Sequence, residues 1–381
     1  MVIALIGLGA RDKALADDGT IQFKGSETVE HDDNPLLLTS GAKSVNGSIT
    51  EPEATINEDT PLIHLDLDTK LDFNEYDLPH FSSTDTHVAY HSNYKGQTLQ
   101  FGLDGNVDYD TTRTSELTAS GLNIAGIRHL GVTYTPHAEV FITPVDQAVF
   151  NGSYNNTTYA DTKLYTDYRF ISANPALQHA LDPLDTVSAG IQSTEFGTTV
   201  GPAVTIYSIG PLFGWTRNFS QRLSATATLG AIGSYGATSI SNPPGSSPMS
   251  YDYTYSLDLA FTGQQDTIHL TASRSPSPEG NGTEALQSSY GLTERHAVTT
   301  RTDLDLSAQY ISSSYTQKII GAQASYISLS PKVNYHLTQE WEFSSEFRYR
   351  HQDSTGIGQS ASSNAILFHL IYTPTTLSLG W

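Results

Sequence analysis

The chain has no cysteine among its 381 residues, so it can build neither a disulfide framework nor a thiolate metal site. No run of about 18 apolar residues occurs, which excludes helical membrane spans. Basic residues are scarce, with 19 Lys and Arg against 40 Asp and Glu, a net charge of −21. Such a chain repels phosphates and is not expected to bind nucleic acid. The charge fits an acidic lumen with acidic outer loops, and it equally fits a solubility charge. The hydrophobic fraction is only 38%. A soluble sandwich needs apolar inner faces throughout, whereas a membrane barrel needs apolar residues on its outer wall alone. The third glycine of a dinucleotide fingerprint is missing after Gly7 and Gly9, where Asp12 stands, and no βαβ pattern follows. No G-x-S-x-G nucleophile elbow appears either.

What the chain does have is alternation. Residues 63–74 put Ile63, Leu65, Leu67, Leu71 and Phe73 on odd positions, interrupted only by Thr69. The even positions His64, Asp66, Asp68, Lys70, Asp72 and Asn74 are all polar. Successive strand side chains point to opposite faces, so this is a strand with one apolar wall and one wet wall. It runs about twice the common soluble length, as a tilted bilayer crossing requires. The same pattern recurs at 99–109, 223–235, 251–261, 301–311 and 341–350.

Taken in order, further strands are expected at 20–32, 48–60, 84–93, 124–143, 148–158, 202–216, 268–275, 287–298, 322–337 and 364–372. Residues 161–196 parse poorly: 164–170 and 187–194 read as strands, with Ala173-Asn174-Pro175 to Asp182-Pro183 between them. The count is about 18 strands, or about 16 if that doubtful pair merges. Short turns at 59–61, 95–96, 218–220, 263–265 and 337–340 alternate with long polar connections at 76–82, 111–122, 238–249, 276–283 and 353–362. Together these predict an all-β chain forming a transmembrane antiparallel up-and-down β-barrel in the bacterial outer membrane. A barrel of that size holds water unless it is plugged, and no segment reads as a separate plug.

Residues 1–16 carry a short apolar run and an Ala14-Leu15-Ala16 ending, but Arg11 and Lys13 lie on the wrong side of it. They are expected to be the remnant of an export signal, with 17–381 forming one barrel domain. Tyr90, Tyr109, Tyr134, Tyr235, Tyr251, Tyr310, Tyr349 and Tyr372 sit near strand ends, as interfacial girdles require. The chain ends on Trp381, an aromatic terminus of the kind that barrel-assembly machinery reads. Parity slips at Thr373-Pro374, so either Tyr372 or Trp381 is expected to close the last strand.

Several stretches resemble a family of outer-membrane β-barrels encoded in bacterial exopolysaccharide gene clusters. They are Asp108 to Leu117 (DYDTTRTSEL), Thr271 to Pro278 (TASRSPSP), Phe347 to Asp353 (FRYRHQD) and Ala361-Ser362-Ser363-Asn364. The resemblance spans most of the chain from about residue 50. It implies a role in polysaccharide export, with polysaccharide and periplasmic export components as partners besides outer-membrane lipid. It brings no catalytic motif and no cofactor. The irregular start departs from the family pattern.

The chemistry lies on the wet wall. The expected lumen-lining set is Asp66, Asp68, Asp72, Asp104, Asp108, Asp252, Asp258, Asp303, Asp305, Glu342, Glu346, Arg348 and Arg350. Lys70, Arg169 and Arg301 are the remaining basic candidates. Paired carboxylates serve glycoside hydrolysis, but Asp is also an ordinary residue of a hydrated wall. His87 and His91 would chelate a metal on a helix, yet on a strand they stand roughly 13 Å apart. No catalytic residue, metal site or cofactor is assigned. Three readings follow: an exopolysaccharide-linked conduit, a general diffusion porin with cation preference, and a barrel enzyme.

Overall fold

The computed structural model describes residues 18–78, 81–113, 115, 126–161, 165–199, 204–238, 249–315, 324–354 and 359–379. The expected signal remnant and Trp381 lie outside them. The strands are β1 (Asp18–Asp32), β2 (Val45–Asp59), β3 (Ile63–Tyr76), β4 (Ser83–Lys95), β5 (Leu99–Thr111) and β6 (Arg128–Phe141). There follow β7 (Asp146–Tyr159), β8 (Tyr168–Ala180), β9 (Asp185–Thr198), β10 (Val204–Asn218), β11 (Leu223–Thr238) and β12 (Ser250–Thr262). The last are β13 (Asp266–Glu279), β14 (Thr283–Ala297), β15 (Thr302–Tyr315), β16 (Ala324–His336), β17 (Trp341–Ser354), β18 (Gln359–Tyr372) and the short β19 (Leu377–Leu379).

Each strand from β1 to β17 pairs antiparallel with the next, and β1 pairs with β18 from Gly25↔Tyr372 to Asp32↔Ala365. The result is a closed barrel of 18 wall strands. β19 continues the line of β18 along the lower end of β1, with Gly19 opposite Leu379. Closure gives every wall strand a partner on both sides, the condition for a sheet in hydrocarbon.

On each wall strand one parity carries the large exposed apolar side chains, among them Leu67, Phe101, Leu177, Phe213, Leu229, Leu270 and Phe368. The other parity carries the polar rows and faces the axis, where side chains of distant strands also come together, Gln192 of β9 with Thr254 of β12 and Arg350 of β17 with Asp32 of β1. Tyr76 likewise donates to Glu30 across β2 at 2.9 Å. Aromatic pairs mark both rims of the outer belt: Tyr207 with Tyr235 at 5.3 Å on one, Trp341 with Tyr372 at 4.7 Å on the other. Long connections share the first rim and tight turns the second, which places the first outside the cell and the second in the periplasm.

The stretch 161–196 differs from its sequence parse. Residues 173–180 are strand, so Ala173-Asn174-Pro175 lies inside β8 and the turn falls at 181–184. Pro175 has no amide hydrogen, and the β8–β9 ladder skips Asn174 and Pro175 between Ala173↔Ser193 and Ala176↔Gly190. One interrupted ladder is tolerated because β7 still pairs with Pro175 through Phe150. The expected Pro-rich loop 276–283 is likewise mostly strand, with Pro276 and Pro278 in β13 and only 280–282 left as a turn.

Candidate permeation pathway

The inner wall has two arcs of different chemistry. Across β1–β6 and β14–β18 the inward rows are dense in Asp, Glu, His, Lys and Arg. Across β7–β11 they hold Asn151, Asn155, Ser172, Asn174, Gln192, Thr194, Ser208 and Ser234 and no charged side chain.

In the charged arc, cross-strand register sets cation beside anion. His87 lies between Asp108 (2.7 Å) and Asp72 (3.2 Å), and His91 pairs with Asp104. Lys70 sits between Glu51 (3.3 Å) and Asp72 (3.1 Å). His129 meets Asp110 at 2.6 Å. Asp66 accepts from Asn57 and Asp68 from Thr55, each at 2.5 Å. Asp303 is shared by Arg295 (2.5 Å) and His336 (3.0 Å), and His336 also reaches Glu342 at 3.2 Å. Asp305 accepts from Asn334 at 2.5 Å. Glu346 holds Arg348 (3.2 Å) and His369 (3.4 Å). Arg350 pairs across β18 with the fully buried Asp32 of β1. Further round, Asp252 meets Arg274 at 3.3 Å and Asp258 meets His269 at 2.6 Å.

The thirteen residues named from the sequence share the parity opposite the exposed apolar rows, and each is engaged by a neighbour. Two basic candidates do not. Arg169 points outward and pairs with Glu195 at 2.6 Å, and Arg301 lies in the turn before β15. The sequence reading also missed Glu30, Asp32, Glu51, Asp85 and Asp110, and the inward histidines. A signal for the histidines existed: the spacing of His87 and His91 matches that of Asp104 and Asp108 on the antiparallel neighbour.

Within the charged arc an open cavity of about 390 Å³ is bounded by β1–β5, β16 and β17. Its carboxylates are Glu30, Asp32, Glu51, Asp72, Asp85 and Asp110, and its fixed cations are Lys70, Arg113, Arg348 and Arg350. Arg113 lies 4.7 Å over the Tyr76 ring and 5.3 Å over the Phe81 ring. The β1–β2 loop leans over this space, with Pro35 on the cavity wall and Leu37 buried against Ile311, Tyr326 and Ala361. Leu37 has φ +52°, a left-handed conformation costly for a side-chain-bearing residue. Asn34 holds the turn by accepting from the Leu38 amide (2.9 Å) and donating to the Leu38 carbonyl (3.0 Å). On the outer rim, the Asn46 side chain donates to Asp77 and holds that carboxyl below the usual carboxylate range.

The neutral arc is closed rather than open. Gln192 donates to Thr254 at 2.7 Å over β10 and β11, and Thr254 returns a bond at 3.1 Å. Glycines make this approach possible: a Cβ on Gly230 would stand 2.3 Å from the Gln192 amide nitrogen. Above it Tyr159, Tyr165, Tyr168, Phe170, Phe196 and Ile206 form a buried apolar cluster. From the other side, the β12–β13 ladder stops at Tyr255↔Arg274, although both strands continue. Freed from β12, the β13–β14 hairpin leans inward, where Glu284 faces Thr194 of β9 and Leu286 is 1% exposed. The Thr166 amide donates to the Gly280 carbonyl at 2.7 Å, joining the hairpin to the β7–β8 loop.

No family model and no curated protein matches the chain. Among solved structures it is similar to the outer-membrane protein OpdK of Pseudomonas aeruginosa at 8% identity and TM-score 0.47, over 94% of this chain and 99% of that one. It is also similar to OccAB3 of Acinetobacter baumannii at 9% identity and TM-score 0.47, over 94% and 99%. For OpdO of Pseudomonas aeruginosa the values are 10%, 0.46, 96% and 98%. The placement in the membrane rests on the chain's own closed register, apolar belt and aromatic rims. The chain is a closed antiparallel β-barrel with an apolar outer belt and aromatic rims, the architecture of bacterial outer-membrane barrels.

Proposed function

We propose that the barrel is a passive conduit for small polar solutes, with a preference for cations, and that passage follows the charged arc. The observation that carries this is the asymmetry of the interior. The neutral arc is spanned by direct contacts, whereas the charged arc keeps an open cavity with six carboxylates against four fixed cations. A surplus of carboxylates at a narrow point lowers the barrier for cations. Among the described residues the named carboxylates of the charged arc each have a partner, which shallows any charge well that would trap a cation. Polymer export, which the exopolysaccharide resemblance implies, has no observation of the structure in its favour.

Planar-bilayer recording under a salt gradient tests the proposal. The reversal potential is expected on the cation side. Glu51→Gln with Asp72→Asn reduces the cavity to four carboxylates against four cations and is expected to weaken that preference. Anion selectivity in the unsubstituted barrel overturns the reading. Lower polymer secretion in a deletion strain would reinstate export.

A further inference from the structure

The outer wall near the periplasmic rim holds a recess that the permeation pathway does not use. Register puts the small Ala189 between Leu177 of β8 and Phe213 of β10, side chains that are 63% and 59% exposed. The recess has a volume of about 620 Å³, and Ile142 of the β6–β7 turn lines it from below. One row nearer the periplasm, Val187 lies between His179 and Trp215. Polar groups then close the lower end. His179 pairs with Asp146 at 2.7 Å, and Arg217 pairs with Asp185 at 3.2 Å. The Trp215 indole donates to Asp185 at 3.0 Å.

We propose that this recess seats one glycerophospholipid of the periplasmic leaflet, with a zwitterionic phosphate–ammonium headgroup. One acyl chain lies over Ala189 between Leu177 and Phe213, and continues up the wall past Ile191 and Ile209, which are both 51% exposed. Burial of chain methylenes against these walls supplies the affinity. Charge complementarity selects the headgroup. Arg217 and His179 present N–H donors to a phosphodiester, while Asp146 and Asp185 present carboxylates to an ammonium. An anionic headgroup without an ammonium would bring its negative charge against both carboxylates with no cation of its own to offset them. A second copy of this chain fits less well, because the recess is narrow and flanked by projecting side chains rather than flat.

The test uses the full barrel reconstituted in phosphatidylethanolamine vesicles. These contain a trace of the same lipid with a photoactivatable group in one acyl chain, and crosslinked peptides are mapped by mass spectrometry. Labelling is expected to concentrate on 175–191 and 209–215. Ala189→Trp fills the recess and is expected to cut that labelling about tenfold, the equivalent of ~1.4 kcal/mol. Ala272→Trp, on the same outer parity between Leu257 and Tyr290, leaves it unchanged. The heat-modifiable band confirms that each variant is folded, and the map of the unsubstituted barrel stands alone if one is not. Labelling spread evenly round the belt, equal competition by phosphatidylglycerol, or crosslinks to a second copy of the chain would each overturn the proposal.

Discussion

The two arcs of the inner wall solve one problem in opposite ways. Both belong to strands with the same period of two, and both must satisfy polar groups that face inward. Apart from Glu284, which faces Thr194 of β9, the charged arc keeps its groups off the opposite wall and satisfies them by ion pairs between neighbouring strands, often two per residue. The neutral arc has side chains too short and too uncharged to span water, so its backbones close in. Glycines remove the steric barrier, and Gln192 bridges to Thr254. The barrel is thus open where it is charged and closed where it is neutral. Charge here acts as a spacer: like charges in alternate rows resist collapse, and their partners make the separation affordable.

The largest expected effect tests whether the charged arc depends on its pairs. Asp32 is 0% exposed and accepts from Arg350 and, at 2.7 Å, from Ser363. Arg350→Ala leaves a buried carboxylate without its cation, a loss of about 3–5 kcal/mol. The temperature at which the folded band converts on gels should fall markedly. Arg350→Lys should restore part of it, since the charge returns without the planar fork. An Arg350→Ala barrel that melts with the parent would show that the arc is held by backbone pairing alone.

A second effect separates the charged parity from the lipid parity beside it. Leu67 is 38% exposed on the outer face of β3, and Asp68 lies inward next to it. Leu67→Arg places a charge in the bilayer at a cost of about 2–4 kcal/mol, whereas Asp68→Arg places it in water. Assembly yield should fall for the first and hold for the second. Equal yields would mean that the two faces are not the walls described.

How far the sequence announced this division follows from what alternation records. A period of two reports which face is polar, so the two-sidedness of the strands carrying Asp66 to Arg350 was legible in the sequence. It does not report the height of a residue or its partner, because register depends on the neighbouring strand. The His87–Asp108 and His91–Asp104 pairs therefore stayed hidden although all four residues were in view. Arg169 was misplaced for a related reason. Its strand was started at 164 and stopped at 170, and the parity of that short run could not be anchored until β8 was seen to continue through Pro175. The leaning β13–β14 hairpin was invisible because Pro276 and Pro278 read as loop breakers. In the barrel they lie in strand, on a stretch that has no β12 partner.

The smallest expected effect lies in the neutral arc. Ser208 of β10 and Ser234 of β11 are 2% and 6% exposed, and their hydroxyls meet at 2.7 Å. A hydroxyl pair of this kind contributes about 0.5–1.5 kcal/mol net, but a single buried hydroxyl left unmatched costs about 1–3 kcal/mol. Ser208→Ala alone should therefore destabilise the barrel slightly, through the stranded Ser234. Ser208→Ala with Ser234→Ala removes both polar groups and should return close to the parent, since an apolar pair of the same shape needs no partner. The same double removal at Asp32 and Arg350 should not return so far, because those groups hold β1 to β17 across β18 and line the open cavity. Thermal conversion of the four variants decides it. Full recovery in the neutral arc with partial recovery in the charged arc supports the contrast, and equal recovery in both would mean that ion pairs and hydroxyl pairs are interchangeable fillers of one uniform wall.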